Sequence, residues 1–192
     1  KNWEEFMSPY GADVSKRRLT RVRPGHADLT GLFKYDQTDA RNILERASAR
    51  ETAVRVAAGT IARQLLRALG VEVTGYVQSI EQISDERRYS FDEIAGLKKY
   101  DLFMPDEGLR AAARKRIDEI SESKDTAGGI LELRVRGLKS GFGSCMSYSE
   151  KLDAHLACAL MSVQAIKGVE VGLGFEAARR AGSLVHDQIY YR

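Results

Sequence analysis

The stretch SARETAVRVAAGTIARQLLRALG, residues 48–70, decides the fold class. Val54, Ala57, Ile61, Leu65 and Leu69 recur at the three-and-four spacing of one helix face. SARE has the form of a capping box, in which the Ser48 hydroxyl takes the Glu51 amide and Glu51 returns to the Ser48 amide. Gly70 supplies the stop. Ala53, Ala57, Ala58, Gly59 and Ala62 keep the helix narrow, so neighbouring layers can approach it closely. Such a helix suits a place between two layers better than a place on a surface.

Working outward, VEVTGYVQSI (71–80) reads as a strand by alternation and composition, and ILELRVR (130–136) as a half-buried strand. Gly137–Gly143 form a glycine-rich turn. A second Ala-rich helix is expected over about 149–167, with Leu152, Leu156, Leu160 and Val163 on one face and Gly168 at its end. GVEVGLGF (168–175) reads as a short strand and turn, and EAARRAG (176–182) as a short helix. Residues 84–122 form a variable excursion: Pro105 opens a charged helix over 106–122, read as solvated and peripheral. Residues 1–45 read as mostly irregular, with turns at Pro9–Gly11 and Pro24–Gly25. Strands and helices follow one another without βαβ alternation, which places the chain in the α+β class.

At 192 residues the chain is expected to form a single domain. Apolar residues at 43% and charged residues at 30% exclude a disordered chain. No apolar run reaches the ~18 residues of a membrane span, so no membrane partner is expected. A net charge of +3 does not imply nucleic acid. The cluster Lys16, Arg17, Arg18, Arg21 and Arg23 is either a solvated basic loop or a site for an anion such as phosphate. It lacks the interleaved aromatics of a nucleic-acid surface, and none is expected as partner. Cys145 and Cys158 have no metal-ligand spacing; they fit a reduced, cytoplasmic protein, with Cys158 a small core residue. No metal site is expected. The opening KNWEEFMSP, from Lys1, reads as mid-chain sequence and suggests a portion of a longer polypeptide.

Three constellations can carry chemistry. In RPGHAD (23–28), Pro24 holds Arg23 extended, Gly25 frees the turn, and His26 is displayed at its tip with Asp28 nearby as an orienting carboxylate. Histidine exchanges protons near neutral pH; the plainer reading is a surface-turn histidine. In ERASARE (45–51), Arg46 and Arg50 flank a helix start, where cations are locally unfavourable unless an anion sits there. The plainer reading pairs Arg46 with Glu45 or Asp39, and Arg50 with Glu51. In SVQAIKG (162–168), the Gln164 amide carries donors and an acceptor toward a flat ligand. His155 is read as packing on its helix and His186 as a loop residue.

These segments together resemble one family. RPGHADLTGLFKYDQTDARNILERASARETAVRVAAGTIARQLL resembles the central signature of chorismate synthases, as do DTAGGILELRVRGLKSGFGS, KLDAHLACALMSVQAIKGVEVGLGFEAARRAGS and the closing HDQIYY. The motifs stand in the family's order from Arg21 to Tyr191, outside the variable excursion.

The resemblance implies a lyase of aromatic amino acid biosynthesis that eliminates phosphate from 5-enolpyruvylshikimate 3-phosphate to give chorismate. It implies reduced FMN as cofactor, reduced by the chain itself or by a separate flavin reductase, with NADP as electron source. It also implies a cytoplasmic homotetramer in which helices are held between antiparallel sheets as a β-α-β sandwich. Residue by residue, His26 matches a histidine that supplies a proton to the reduced flavin. Arg23 and Arg50 match substrate-site arginines. Arg46, Ala47 and Ser48 match a flavin-contacting triplet, and Gln164 and Ala165 a flavin-contacting pair. The charge fits: substrate phosphate and carboxylates, plus the FMN phosphate, need guanidinium groups, which grip oxyanions at two points.

The chain departs from the pattern in places. The family's opening Ser-His-Gly segment, with its second catalytic histidine and paired arginines, does not occur in this sequence, and neither do later flavin contacts and a catalytic aspartate. Lys139–Ser140 replaces a proline-containing turn, and Gln188 stands where glutamate is common. The 192 residues are therefore expected to be a central portion, inactive alone. The alternative is a truncated binding or structural module without catalysis.

Overall fold

The computed structural model describes Tyr10 and residues 18–191. Lys16, Arg17 and the Pro9–Gly11 turn thus fall wholly or mostly outside the described residues. The chain is α+β and divides into two compact units. One gathers the described residues up to Gly59 and from Gly141 onward; the other is Thr60–Ser140.

In the first unit, α1 (Asp28–Lys34) and α2 (Ala40–Ala47) form a short helical hairpin. Gly31 lets the two meet: a Cβ there would lie 2.4 Å from Ile43 Cγ2. Asp39 caps α2, its carboxylate accepting from the Arg41 and Leu19 amides, each at 2.9 Å. Residues 1–45 are thus not irregular where described. Both helices are too short for a two-turn apolar period to stand out, and Asp39 was the readable signal.

Helix α3 (Thr52–Ala68) is preceded by a 3-10 turn, Ala49–Glu51. The capping box does not form at Ser48: its hydroxyl accepts from the Arg50 amide, and Glu51 turns to side-chain partners instead. Helix α3 has no buried residue; Val54, Ile61, Leu65 and Leu69 are exposed, so nothing among the described residues covers the face expected to be sandwiched. Helix α6 (Leu152–Met161) stops before the expected 167, and at its end the Ser162 hydroxyl donates to the Ala159 carbonyl at 2.7 Å. Cys158 is exposed, not in a core. His155 bonds the Ser149 carbonyl through Nε2 and His186 lies in a loop. Residues 168–173 form no strand, and Gly174–Arg179 is a 3-10 turn.

The second unit is built on one antiparallel sheet in the order β2-β1-β3, with β1 Glu72–Ile80, β2 Ile83–Ser84 and β3 Gly129–Arg136. Strands β1 and β3 pair from Glu72↔Arg136 to Ile80↔Gly129, with an irregularity between Val77 and Ser79. Thr74 and Tyr76, opposite Arg134 and Glu132, lie on the covered face, where Tyr76 packs with Ile94, Leu97 and Tyr89. The other face presents Leu131, Leu133 and Val135 to solvent. Strand β3 is therefore not half-buried on its aliphatic side: its covered side is Glu132 and Arg134. The Tyr76 hydroxyl donates to Glu132 at 2.9 Å, and burial with that neighbouring charge pushes its pKa up to about 12.

The excursion is ordered by polar anchors. Helix α4 (Phe91–Ala95) opens on a full capping box, Ser90 with Glu93, which periodicity alone does not reveal. The buried Asp85 carboxylate accepts from Arg87 and from the Tyr89 hydroxyl. Helix α5 (Glu107–Glu122) is not merely solvated: Arg110, Ala113 and Ile120 are buried on one side. Arg110 donates to the Met104 and Pro105 carbonyls at 2.7 and 3.0 Å and stacks 4.3 Å over the Tyr100 ring. Among the described residues no helix is long and apolar enough to cross a membrane.

Candidate functional site

All eight residues singled out from the sequence lie in the first unit. The RPGHAD loop turns at Pro24–Gly25, with Gly25 at φ +72°, as its composition predicts. His26 is exposed at the tip and makes no hydrogen bond among the described residues. Asp28 does not orient it. The carboxylate is buried and accepts three bonds from Arg23: the amide at 3.0 Å, Nε at 2.9 Å and Nη2 at 3.0 Å. That grip draws the Asp28 carboxyl from 3.8 down to about 2. It also fixes the Arg23 guanidinium in plane and leaves Nη1 uncommitted to Asp28. The arginine, rather than the histidine, receives the orienting carboxylate.

Arg46 sits in the last turn of α2, two residues before the Ser48 cap of the 3-10 turn. A cation is favoured there by the helix dipole, so its position alone needs no bound anion. It is exposed and forms no ion pair among the described residues. Its neighbours take other partners: Glu45 pairs with Arg41 at 3.2 Å and with Arg50 at 3.4 Å. The Arg50 side chain is 72% exposed, so that pair contributes little and leaves the guanidinium available. Arg46, Ala47 and Ala27 line a cavity of about 590 Å³ with Lys34, Tyr35 and Asn42. The residue after His26 thus shares a cavity with two of the three residues before the 3-10 turn.

Gln164 and Ala165 belong to a turn that follows α6 and docks on the start of α3. The Gln164 amide donates to Glu51 at 3.1 Å and accepts from the Thr52 hydroxyl at 3.4 Å. One amide N–H and one carbonyl lone pair remain for a ligand. Ala165 has φ +72°, a left-handed backbone unusual for a residue with a side chain. Glu51, Thr52, Arg55 and Ser162 complete this contact; nothing in their spacing announces a partnership across more than a hundred residues.

An α+β fold with these residues gathered on an arginine-led loop, a helix end and a docked turn can now be compared with known proteins. The family model for chorismate synthase matches residues 1–192. The chain is 52% identical to chorismate synthase of Geobacter metallireducens over 99% of its own length and 49% of that protein. It is 48% identical to that of Thermus thermophilus over 100% of this chain and 50% of the relative. A solved structure described as a chorismate synthase superposes with a TM-score of 0.80 at 40% identity, covering 86% of this chain and 53% of the other. The chain belongs to the chorismate synthase family. It spans about half the length of the curated relatives it matches.

Proposed function

We propose that the polypeptide carrying this chain eliminates phosphate from 5-enolpyruvylshikimate 3-phosphate to give chorismate, with reduced FMN as cofactor. The observation that carries this reading is the family match over the whole chain, beside relatives named chorismate synthase.

The residues present fit a flavin phosphate ester. Arg46 offers a guanidinium that forms no ion pair among the described residues, Ser48 a hydroxyl, and Gln164 a half-used amide on a turn whose backbone Ala165 folds back. These would hold the cofactor. When bound, the reduced flavin supplies electron density to the ring while the C–O bond breaks.

The chain's own residues do the rest. Arg23, held in plane by Asp28, presents Nη1 to an oxyanion of the substrate, and the loosely paired Arg50 adds a second guanidinium. Both stabilise negative charge that grows on the departing phosphate more than charge already present, which is the condition for catalysis by such groups. His26, exposed and without a hydrogen bond among the described residues, carries a proton on an imidazole nitrogen toward the flavin. We further read the working assembly as a cytoplasmic homotetramer.

The test is chorismate formation by the intact natural polypeptide with reduced FMN and the phosphorylated substrate. The expected result is turnover by the intact polypeptide and none by the 192-residue chain alone. Binding of both ligands by the intact polypeptide without turnover would instead identify a non-catalytic module.

A further inference from the structure

We propose that Glu51 and Arg55 are positioning residues: together they clamp the Ser162–Ile166 turn onto the first turn of α3, so that Gln164 and Ala165 keep their place against the helix start that follows Arg46, Ala47 and Ser48. The inference rests on the flavin reading of those five residues.

The clamp is a closed set of bonds. Arg55 donates through Nε to Glu51 at 2.8 Å and through Nη1 to the Ser162 hydroxyl at 2.7 Å. Glu51 also accepts from the Gln164 amide, and Gln164 in turn accepts from Thr52. Ser162 at the start of the turn and Gln164 at its middle are thus held by one Glu51–Arg55 pair. An isolated surface pair at this helical spacing contributes very little. Here each member has a second partner 107 or 113 residues away, and the Glu51 side chain is only 19% exposed. The bond from Arg55 Nε and the bond from Gln164 also hold Glu51 in its charged form, below its ordinary pKa.

The turn needs such a hold. Ala165 is kept in a left-handed backbone that a side chain disfavours, and strain of this kind persists only where the surroundings over-determine it. The clamp attaches at the residue immediately before it. Released, the turn would relax toward ordinary backbone angles and carry the Gln164 amide away from the α2–α3 junction. Ser48 is three residues from Glu51, so a shift of the clamp moves one side of the presumed flavin contact relative to the other.

The experiment measures FMN binding by fluorescence quenching in the intact polypeptide, with thermal unfolding recorded on each variant. Glu51→Ala and Arg55→Ala should each weaken FMN binding roughly tenfold, the scale of a lost charge-assisted hydrogen bond. The double variant should be no weaker than the singles, because both act through one clamp. Glu51→Gln, which keeps an acceptor for Gln164, should recover part of the loss. Arg116→Ala, which removes an exposed ion pair to Glu81 in the other unit, serves as the control and should bind FMN normally. Unchanged FMN affinity in both alanine variants, with Arg46→Ala weakened, would overturn the clamp and spare the flavin reading. Losses that merely follow the unfolded fraction would also overturn it. No FMN binding by the unaltered polypeptide would overturn the flavin reading itself, and the clamp's role with it.

Discussion

Replacing Asp28 by Asn tests how far the RPGHAD loop depends on a carboxylate that the histidine does not use. Asn keeps the size but presents an NH2 group where Arg23 offers donors. The draw on the Asp28 carboxyl, from 3.8 to about 2, amounts to roughly 2.5 kcal/mol at 1.36 kcal/mol per unit. The Arg23 side chain is 35% exposed, so solvent screening reduces this to about 1–2 kcal/mol. The sign follows from linkage. A carboxyl with a depressed folded-state pKa stabilises fully above its ordinary value and loses that contribution as pH falls toward the folded value. Denaturant unfolding of the intact polypeptide and its Asp28→Asn variant should therefore differ by about 1–2 kcal/mol at pH 7. The gap should shrink between about pH 4 and pH 2. Turnover should fall as well, because Arg23 loses its fixed plane. A stability gap that stays constant down to pH 2 would refute the reasoning, since it would show that charge on Asp28 is not what holds Arg23.

Other outcomes follow from single contacts. Gly31→Ala drives a Cβ to within 2.4 Å of Ile43 Cγ2 and should destabilise by about 1–3 kcal/mol in a chemical melt, with the α1–α2 cavity distorted. Arg110→Met removes the donors to the Met104 and Pro105 carbonyls and should cost about 1–3 kcal/mol while leaving FMN binding unaltered. His26→Ala should lower turnover at least 100-fold with FMN affinity and stability nearly unchanged, because its ring bonds nothing among the described residues; roughly this factor is typical of a lost proton-transfer group. Arg46→Ala should weaken FMN binding without lowering the melting temperature, as an exposed cation with no ion pair among the described residues supports little structure.

The parts legible in the sequence are those with long periods. Helix α3, strand β1 and helix α5 lie within a few residues of their predicted spans because each carries at least two repeats of its pattern. Helices α1 and α2, of seven and eight residues, carry fewer and were lost among polar loop residues. The capping box at Ser48 met its sequence rule and still failed, because Arg55 and the distant Gln164 claimed Glu51 first. Local preference was overridden by a tertiary contact that no window on the sequence contains. The same holds for the site. RPGHAD could be read as a bent, displaying loop, yet which basic group its aspartate serves depended on backbone geometry around Gly25. For strand β3, alternation identified the strand but not which face is covered.

That last point changes how substitutions along β3 should be judged. Conservative intuition protects leucines in a strand and treats charged residues as expendable. Within this unit the charged residues carry contacts of their own. Glu132 receives the hydroxyl of the buried Tyr76, and Arg134 reaches both Glu132 and the Tyr89 carbonyl. Removing either leaves a polar group stranded beneath the sheet. Natural variation that holds Glu132 and Arg134 together as a pair would be the genetic trace of this polar underside.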